Sequence, residues 1–316
     1  MSNRNFISIV ISAYNEEANI AELYKQLKQS LDTIDSLKYE IIFVNDGSKD
    51  NTKAEVLKLY EKDKDVKLVD FVRNFGHEIA MTAGMDYAVG DAVLFMDADL
   101  QHPPKLIPEM VKHWRDGVDI VLTKRVDNQQ ESYFQKLRGK IFYKILNKLS
   151  DFEIPAQTPD FRLIDRKYVE VVKSMKENNR MFRGLISWIG VSNQVVIDFE
   201  APSRFAGESK YSVKKLMKLA VDSILSFSIK PLRFAMYFGI ISIIISGLVG
   251  VYMIIDYLIT PNYQTTGFAT TALLVIFLGS VQLISLGVIG EYVGRIHIET
   301  KNRPLYIAQY FPNQVD

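Results

Sequence analysis

The sequence predicts an α/β fold with a mostly parallel sheet, followed by interfacial amphipathic helices and a two-helix transmembrane hairpin. Three features of the 316-residue chain indicate this organisation. Short apolar runs alternate with helical segments in the first two hundred residues, which is typical of parallel α/β domains. Polar residues follow the carboxyl ends of several of these runs. Two long apolar stretches come late in the chain, and each is near the roughly 20 residues that cross a bilayer.

Five apolar runs have the length of a strand: residues 6–11, 40–45, 66–71, 92–96 and 118–123. Helices are predicted between them, over residues 16–34, 77–89 and 104–114. In the first predicted helix the apolar side chains recur at helical spacing on one stripe, as expected for a helix that packs on a sheet. The alternation therefore predicts a layered domain whose strand ends meet at a common edge.

Asp97 and Asp99 directly follow the fourth apolar run. Alternate residues of an extended chain point the same way, so both carboxylates can face one cation. Two carboxylates together with substrate phosphates are a common way for proteins to hold Mg²⁺. Open α/β sheets bind ligands at the carboxyl ends of their strands. The pattern predicts a divalent metal site here, although an isolated Asp-x-Asp is also typical of a solvated turn.

The overall composition argues against a nucleic-acid partner and excludes sites that need cysteine. The net charge of +1 argues against nucleic acid as a main partner. The chain has no cysteine, so it forms no disulfide and no thiolate metal site.

The two long apolar stretches, residues 234–255 and 268–290, are predicted to span a membrane. The connecting residues 256–267 contain no lysine or arginine. The basic residues lie outside the pair: Lys230, Arg233, Arg295, Lys301 and Arg303. The positive-inside rule then places both termini in the cytoplasm. A buried hairpin in the core of a soluble protein is the alternative.

Two further segments, residues 133–149 and 213–228, combine apolar side chains at helical spacing with several lysines. A basic amphipathic helix beside a membrane span is typical of an interfacial helix. The alternative is a helix that packs on the core and exposes a solvated face. In the first span Ser242, Ser246 and Gly250 recur every four residues, which permits close helix contact within the hairpin or in a homo-oligomer.

Several motifs resemble those of a known family. Three of them, at the ends of successive strands, resemble family 2 glycosyltransferases with the GT-A fold: Tyr14-Asn15-Glu16, Asn45-Asp46-Gly47-Ser48 and Asp97-Ala98-Asp99-Leu100-Gln101. Three more resemble the polyisoprenyl-phosphate glycosyltransferases, relatives of dolichol-phosphate mannose synthase: Arg73-Asn74-Phe75-Gly76-His77, Asp160-Phe161-Arg162-Leu163 and Arg204-Phe205-Ala206-Gly207-Glu208-Ser209-Lys210. The segment after the second span resembles the bacterial bactoprenol glucosyltransferase branch: Gly290-Glu291-Tyr292-Val293-Gly294-Arg295.

The chain departs from the family pattern at two positions. Many relatives carry proline where this chain has Ser12, and aspartate where it has Asn45. His102, a single histidine before two prolines, is predicted to be a surface residue without a functional role.

The resemblance implies roles for individual residues. Asp99, with Asp97 beside it, would bind Mg²⁺ or Mn²⁺, and Gln101 would lie near the metal and phosphate. Asp160 would act as a base or position the acceptor. The nucleotide-sugar pocket would be lined by a larger set: Tyr14, Asn15, Glu16, Asp46, Asp97, Arg204 and Lys210. The acceptor phosphate would be held by two arginines: Arg125 and Arg138.

The implied reaction is an inverting, metal-dependent transfer of a hexose from a nucleotide sugar to a polyprenyl phosphate such as undecaprenyl phosphate. UDP-glucose is the expected donor, with GDP-mannose or a modified UDP-sugar as alternatives. A non-enzymatic scaffold or flippase partner is the alternative from another class. The resemblance places the protein in the bacterial inner membrane with a cytoplasmic catalytic domain. The predicted divisions are a catalytic domain at 1–205, a lid loop and interfacial helix at 206–230, two spans within 231–290, and a cytoplasmic tail at 291–316.

Overall fold

The computed structural model describes residues 4–126, 147–148, 158–178, 180–200, 202, 225, 228–259 and 267–310. The chain divides into two compact units. The first comprises Met1–Ile145, Phe152–Leu216 and Pro304–Asp316. The second comprises Leu146–Asp151 and Met217–Arg303.

An eight-stranded sheet forms the centre of the first unit, with the strand order β7-β5-β6-β4-β1-β2-β3-β8. Its strands are β1 Phe6–Ala13, β2 Lys38–Asn45, β3 Val66–Phe71, β4 Ala92–Asp97, β5 Ile120–Arg125, β6 Arg162–Asp165, β7 Gln194–Phe199 and β8 Ala308–Tyr310. Only β6 and β8 are antiparallel to their neighbours. The predicted mostly parallel sheet is therefore confirmed.

The described residues of the first unit include six helices that cover the sheet: α1 Ile20–Leu31, α2 Thr52–Lys62, α3 His77–Tyr87, α4 Ile107–Arg115, α5 Arg166–Ser174 and α6 Phe182–Ile189. A 3-10 turn, Pro104–Leu106, precedes α4. The apolar stripe of α1 packs into the main core with residues of α2 and α4, and the buried side chains of that stripe are those predicted from its spacing: Ile20, Leu23, Leu27 and Leu31. The opposite face of the sheet contacts α3 and α6, where Phe95 and Phe182 pack ring against ring at 4.6 Å.

The five predicted strands all occur. The one predicted at residues 66–71 has the predicted bounds, and the other four differ from the prediction by one or two residues at an end. The fifth begins and ends two residues later than predicted and includes Lys124 and Arg125. Strands β6, β7 and β8 were not predicted, because each is short or carries polar residues among its apolar ones. The helix predicted over residues 16–34 is shorter, because residues 16–19 form a turn instead.

Two long helices dominate the second unit: α7 Lys230–Ile259 and α8 Gly267–Thr300. They contact each other along the hairpin. Each contains a 27-residue stretch long and apolar enough to cross a membrane, and almost none of its most apolar part is buried. Such exposure contradicts a buried core hairpin, because a soluble core would cover these side chains. The helix α8 continues past the predicted end of the second span.

The two predicted interfacial helices, at 133–149 and 213–228, lie almost entirely outside the described residues. Ser242 is buried within the second unit. Self-association through the small residues of the first span stays a prediction.

Tight packing of α3 on the sheet generates the first testable prediction. A Cβ added at Gly84 of α3 would lie 2.1 Å from Cγ1 of Val10 on β1. Helix propensity alone favours alanine over glycine by about 1 kcal/mol, whereas overpacking costs about 1–3 kcal/mol. Gly84→Ala should therefore lower the thermal unfolding midpoint of the detergent-solubilised protein.

The matched control is Val10→Ala combined with Gly84→Ala. Removing the Val10 methyl groups makes room for the new Cβ, so the double variant should lose less stability than the two single variants together. If Gly84→Ala alone raised the unfolding midpoint, the space between Gly84 and Val10 would not be too small for a Cβ atom.

Candidate active site

The site forms where three central strands end side by side. The parallel pairing of β1 with β4 places Ser12 opposite Asp97, and the pairing of β1 with β2 places Ala13 opposite Asn45. The loops that follow these strands therefore start from one edge of the sheet, which is where open α/β folds bind ligands. The predicted convergence of the strand-end motifs is present in the structure.

Asp97 is the last residue of β4, and its carboxylate is linked to His77 through Ser12. The Ser12 hydroxyl lies 3.1 Å from Oδ1 of Asp97 and 2.8 Å from Nδ1 of His77. Nδ1 of His77 also lies 3.4 Å from Oδ1 of Asp97. Many relatives carry proline at this position, and proline has no hydroxyl. The serine of this chain therefore makes a link between Asp97 and His77 that proline could not make.

His77, the first residue of α3, lies between two carboxylates. Its Nδ1 faces Asp97, and its Nε2 lies 3.6 Å from Oδ2 of Asp160. Burial lowers the pKa of His77, but the carboxylates of Asp97 and Asp160 outweigh it and raise the pKa to about 10. The imidazole is therefore a cation at neutral pH. Its Nδ1–H then donates to Ser12, whose hydroxyl hydrogen is left to donate to Asp97.

Asp160 is a buried carboxylate that is fully engaged by cations. Its Oδ1 accepts from Arg162 at 2.6 Å, and its Oδ2 accepts from Arg183 at 3.1 Å. Burial raises the pKa of Asp160, but Arg183, Arg162 and His77 outweigh it and hold the pKa well below its usual range. A carboxylate with such a low pKa is a weak proton acceptor.

Asp99 follows β4 in a tight turn. The turn is closed by Leu100, which has a left-handed φ of 62°, and by the backbone N–H of Gln101, which donates to Oδ1 of Asp99 at 3.1 Å. Asp97 is the last residue of β4 and Asp99 lies two residues later in this turn, so both are at the same end of the strand. The side chain of Asp97 is 32% exposed and so is open to a ligand.

Two carboxylates fit a hard divalent cation, because Mg²⁺ and Mn²⁺ prefer oxygen ligands and accept phosphate and water for the remainder. Among the described residues, no group of three or more histidine and acidic side chains is arranged around one metal position. A cation held by Asp97 and Asp99 would take its other ligands from a bound phosphate or from water.

The prediction that His102 is a surface residue is wrong. His102 is 5% exposed, and its ring stacks on Phe161 with 5.2 Å between the ring centroids. Its Nδ1 accepts from the backbone N–H of Asp97 at 3.0 Å. The histidine thus holds the end of β4 in place, and the turn of Asp97 to Gln101 depends on it.

Asp46 lies at the start of the loop after β2, and its carboxylate is held by the loop after β3. It accepts from the backbone N–H of Phe75 at 2.7 Å, from that of Gly76 at 3.0 Å, and from the side chain of Asn74 at 2.8 Å. Burial raises the pKa of the Asp46 carboxyl, and it outweighs the hydrogen bonds from Phe75 and Gly76, which lower that pKa. Since Asp46 is only 3% exposed, its direct effect is to fix the two loops together.

Gly47 allows these loops to approach. Its φ is +63°, and an added Cβ would lie 2.3 Å from the carbonyl carbon of Arg73. Only glycine fits a left-handed position in such close contact with backbone.

The Tyr14-Asn15-Glu16 motif, which follows β1, lies against the loop that follows β2. The backbone N–H of Asn15, at a left-handed φ of 55°, donates to Oγ of Ser48, and the side chain of Asn15 accepts from the N–H of Lys49 at 2.8 Å. The N–H of Glu16 donates to Oγ1 of Thr52 at 2.8 Å. Tyr14 is half-buried beside these residues. Their nucleoside contacts stay a prediction.

The structure places Arg125 at the end of β5, half-buried and opposite Phe199 of β7. Three other predicted residues lie outside the described residues: Arg138, Arg204 and Lys210.

Sequence reasoning missed His77, Arg162 and Arg183 as site residues. Two of these were inside motifs already noted, but their pairing with Asp160 depends on residues far apart in the chain. Arg183 carried no sequence signal, because an arginine in an amphipathic helix is ordinary.

Comparison with known proteins shows the family of this chain. The family model for glycosyl transferase family 2 matches residues 8–172, and that for the GtrB C-terminal hairpin matches residues 230–296. An uncharacterized glycosyltransferase of Bacillus subtilis, YkcC, is 45% identical over 98% of this chain and 95% of its own length. The SfII prophage-derived bactoprenol glucosyl transferase of Shigella flexneri is 42% identical over 96% of this chain and 97% of its own.

Among solved structures, glucosyl-3-phosphoglycerate synthase from Mycobacterium tuberculosis matches with a TM-score of 0.46 and 16% identity, over 71% of this chain and 78% of that one. The predicted fold class, enzyme class and family resemblance are confirmed by the family matches and by the topology of the sheet. The chain belongs to glycosyl transferase family 2 and is a membrane-associated glycosyltransferase with a GtrB-type C-terminal hairpin.

Proposed function

We propose that this enzyme transfers glucose from UDP-glucose to a polyprenyl phosphate, such as undecaprenyl phosphate, at the cytoplasmic face of the membrane. The observation that carries the proposal is the cluster of Asp97, His77 and Asp160 at the strand ends of a family 2 domain. The same chain continues into two exposed apolar helices, which suit an enzyme with a lipid acceptor. The bactoprenol glucosyl transferases among its relatives support glucose and this class of lipid.

Asp97 and Asp99 would hold Mg²⁺ or Mn²⁺ at the diphosphate of the donor. The cation would stabilise the charge that develops on the leaving diphosphate. Gln101 lies in the same turn and would contact the phosphate side. Tyr14, Asn15, Glu16 and Asp46 would form the nucleoside pocket, while Arg204 and Lys210 would contact the leaving diphosphate.

The acceptor phosphate would attack the anomeric carbon from the side opposite the leaving UDP, so that the configuration inverts. An oxygen of the lipid phosphate forms the new bond to that carbon, and the electron pair of the broken bond leaves with UDP. A phosphate monoester carries about −1.5 to −2 charges at pH 7 and needs little or no deprotonation. No general base is then required.

Asp160 would then position its neighbours rather than transfer a proton. Its low pKa suits a permanent anion that orients His77, Arg162 and Arg183. The positive groups around it would in turn attract the acceptor phosphate. Arg125 and Arg138 would complete the acceptor site nearer to the membrane.

A donor such as GDP-mannose or a modified UDP-sugar would use the same metal and acceptor groups. Incubating membranes with several labelled nucleotide sugars and counting label in extracted lipid decides between donors. A scaffold or flippase partner would leave no label in lipid with any of them.

The metal assignment is tested with Asp99→Asn. Loss of one preorganised charged ligand should reduce transfer by on the order of a hundredfold or more, while expression and membrane insertion are unchanged. The matched control is Asp116→Asn, on an exposed residue at the end of α4, which should keep full activity. Full activity of Asp99→Asn in the presence of EDTA would contradict the metal site.

The topology is tested with single cysteines, because the native chain has none. We propose that both termini are cytoplasmic, so a cysteine at Asn262, between the two helices, should react with an impermeant maleimide in intact cells. A cysteine at Asn302, just after α8, should react only after the cells are opened. The reverse pattern would invert the orientation.

The acceptor assignment is tested with Arg125→Ala. A bidentate arginine–phosphate contact is lost, so lipid transfer should fall by about tenfold or more while the affinity for UDP-glucose hardly changes. Lys124→Ala is the matched control, because successive residues of a strand point to opposite faces. If donor affinity and transfer fall together, or if neither falls, Arg125 does not hold the acceptor.

A further inference from the structure

The chain returns to the catalytic sheet immediately after the membrane hairpin. Helix α8 ends at Thr300, and β8 begins at Ala308. The strand β8 pairs antiparallel with β3, with Tyr310 opposite Asp70 and Ala308 opposite Phe71. The backbone N–H of Val72 also donates to the carbonyl of Ile307 at 3.1 Å. This pairing closes an edge strand that would otherwise be open to another chain.

A side chain of the returning segment extends the contact beyond the backbone. The Tyr306 ring stacks on Phe71 with 5.1 Å between the ring centroids and 21° between the planes. The Tyr306 hydroxyl donates to Oδ2 of Asp86 on α3 at 3.1 Å. Backbone pairing alone would protect the edge of β3. The contacts of the Tyr306 side chain with Phe71 and Asp86 are additional to that pairing.

Phe71 connects Tyr306 to the loop that follows β3. The ring of Phe71 meets that of Phe75 edge to face, with 5.5 Å between the centroids. The guanidinium of Arg73 lies 3.9 Å from the Phe75 ring centre on the same loop. The Phe75 ring is therefore held by two contacts, one with the Phe71 ring and one with the Arg73 guanidinium.

The backbone of this loop in turn holds Asp46. The N–H groups of Phe75 and Gly76 donate to its carboxylate, and so does the side chain of Asn74. A continuous series of contacts therefore runs from Tyr306 through Phe71 and Phe75 to Asp46.

We propose that Tyr306 is a positioning residue for donor binding: the segment that follows the membrane hairpin holds the loop of residues 72–76 and, through it, Asp46 in the conformation that receives the nucleoside. The inference rests on the proposed function, because it assigns the nucleoside to the pocket beside Asp46. It adds a role for a part of the chain that lies outside the family 2 match.

The test compares Tyr306→Ala with Tyr306→Phe in the purified full-length protein. Tyr306→Ala removes the stacked ring, and the KM for UDP-glucose should rise by about threefold to tenfold, the range expected for one aromatic contact. The KM for the polyprenyl phosphate and kcat should change by less than about twofold. Tyr306→Phe keeps the ring and should restore a donor KM near that of the wild type.

Two truncations provide the matched control. Removing residues 304–316 deletes Tyr306 and β8 and should raise the donor KM at least as much as Tyr306→Ala. Removing only residues 311–316 leaves both and should leave the donor KM unchanged. If Tyr306→Ala does not fold, Tyr306→Leu, which keeps apolar contact without the ring, replaces it with the same expected direction.

Three results would overturn the inference: an unchanged donor KM in Tyr306→Ala, equal rises in both KM values, or a rise that Tyr306→Phe does not reverse. A wild-type enzyme that does not transfer glucose from UDP-glucose would instead contradict the proposed function. In that case calorimetry with UDP alone tests the inference independently, and equal affinity in the wild type and Tyr306→Ala would overturn it.

Discussion

The parallel pairing of β1 with β4 is the constraint on which the rest of the site depends. It sets Ser12 beside Asp97 and so decides which side chains of the strand ends face the same space. A slip of one residue would turn Asp97 toward the opposite face of the sheet, because side chains alternate along a strand. The side chains of β1 and β4 are buried on both faces of the sheet. Such a slip would be costly because it would exchange these side chains between two closely packed layers of the core.

Charge compensation is the second determinant of the site. Asp97 and Asp160 approach one another only because the imidazolium of His77 lies between them. Two arginines then balance Asp160, one from the strand β6 and one from the helix α6. Removing one partner of such a buried network leaves an uncompensated charge, which is far more destabilising than losing an exposed ion pair. The ion pairs therefore fix the positions of His77, Arg162 and Arg183 relative to Asp160.

Local patterns predicted much of this structure. The apolar runs located β1 to β5 because fully buried parallel strands are nearly continuous in hydrophobicity. The stripe of α1 was visible because one helix face packs on one sheet. The strand-end carboxylates were visible because strand ends in such sheets share an edge.

The parts that were missed depend on contacts between distant residues. The strand β6 begins with Arg162 and ends with Asp165, so its sequence does not look apolar. The environment of His102 depends on Phe161, and that of His77 on Asp160, and neither pairing leaves a local signal. The pairing of β8 with β3 joins two segments that are far apart in the chain, and the three residues of β8 carry too little pattern to predict it.

The proposed reaction transfers a glucosyl unit, and not a glucosyl phosphate, to a lipid phosphate. The most direct measurement uses UDP-glucose labelled in the sugar, polyprenyl phosphate and the purified enzyme with Mg²⁺ or Mn²⁺. Lipid-extracted label and the released nucleotide are quantified in the same reaction. Direct transfer to the lipid phosphate predicts labelled lipid in equal amount to UDP, with the anomeric configuration of the sugar inverted. Release of UMP, retention of configuration, or a lipid fraction without label would contradict it.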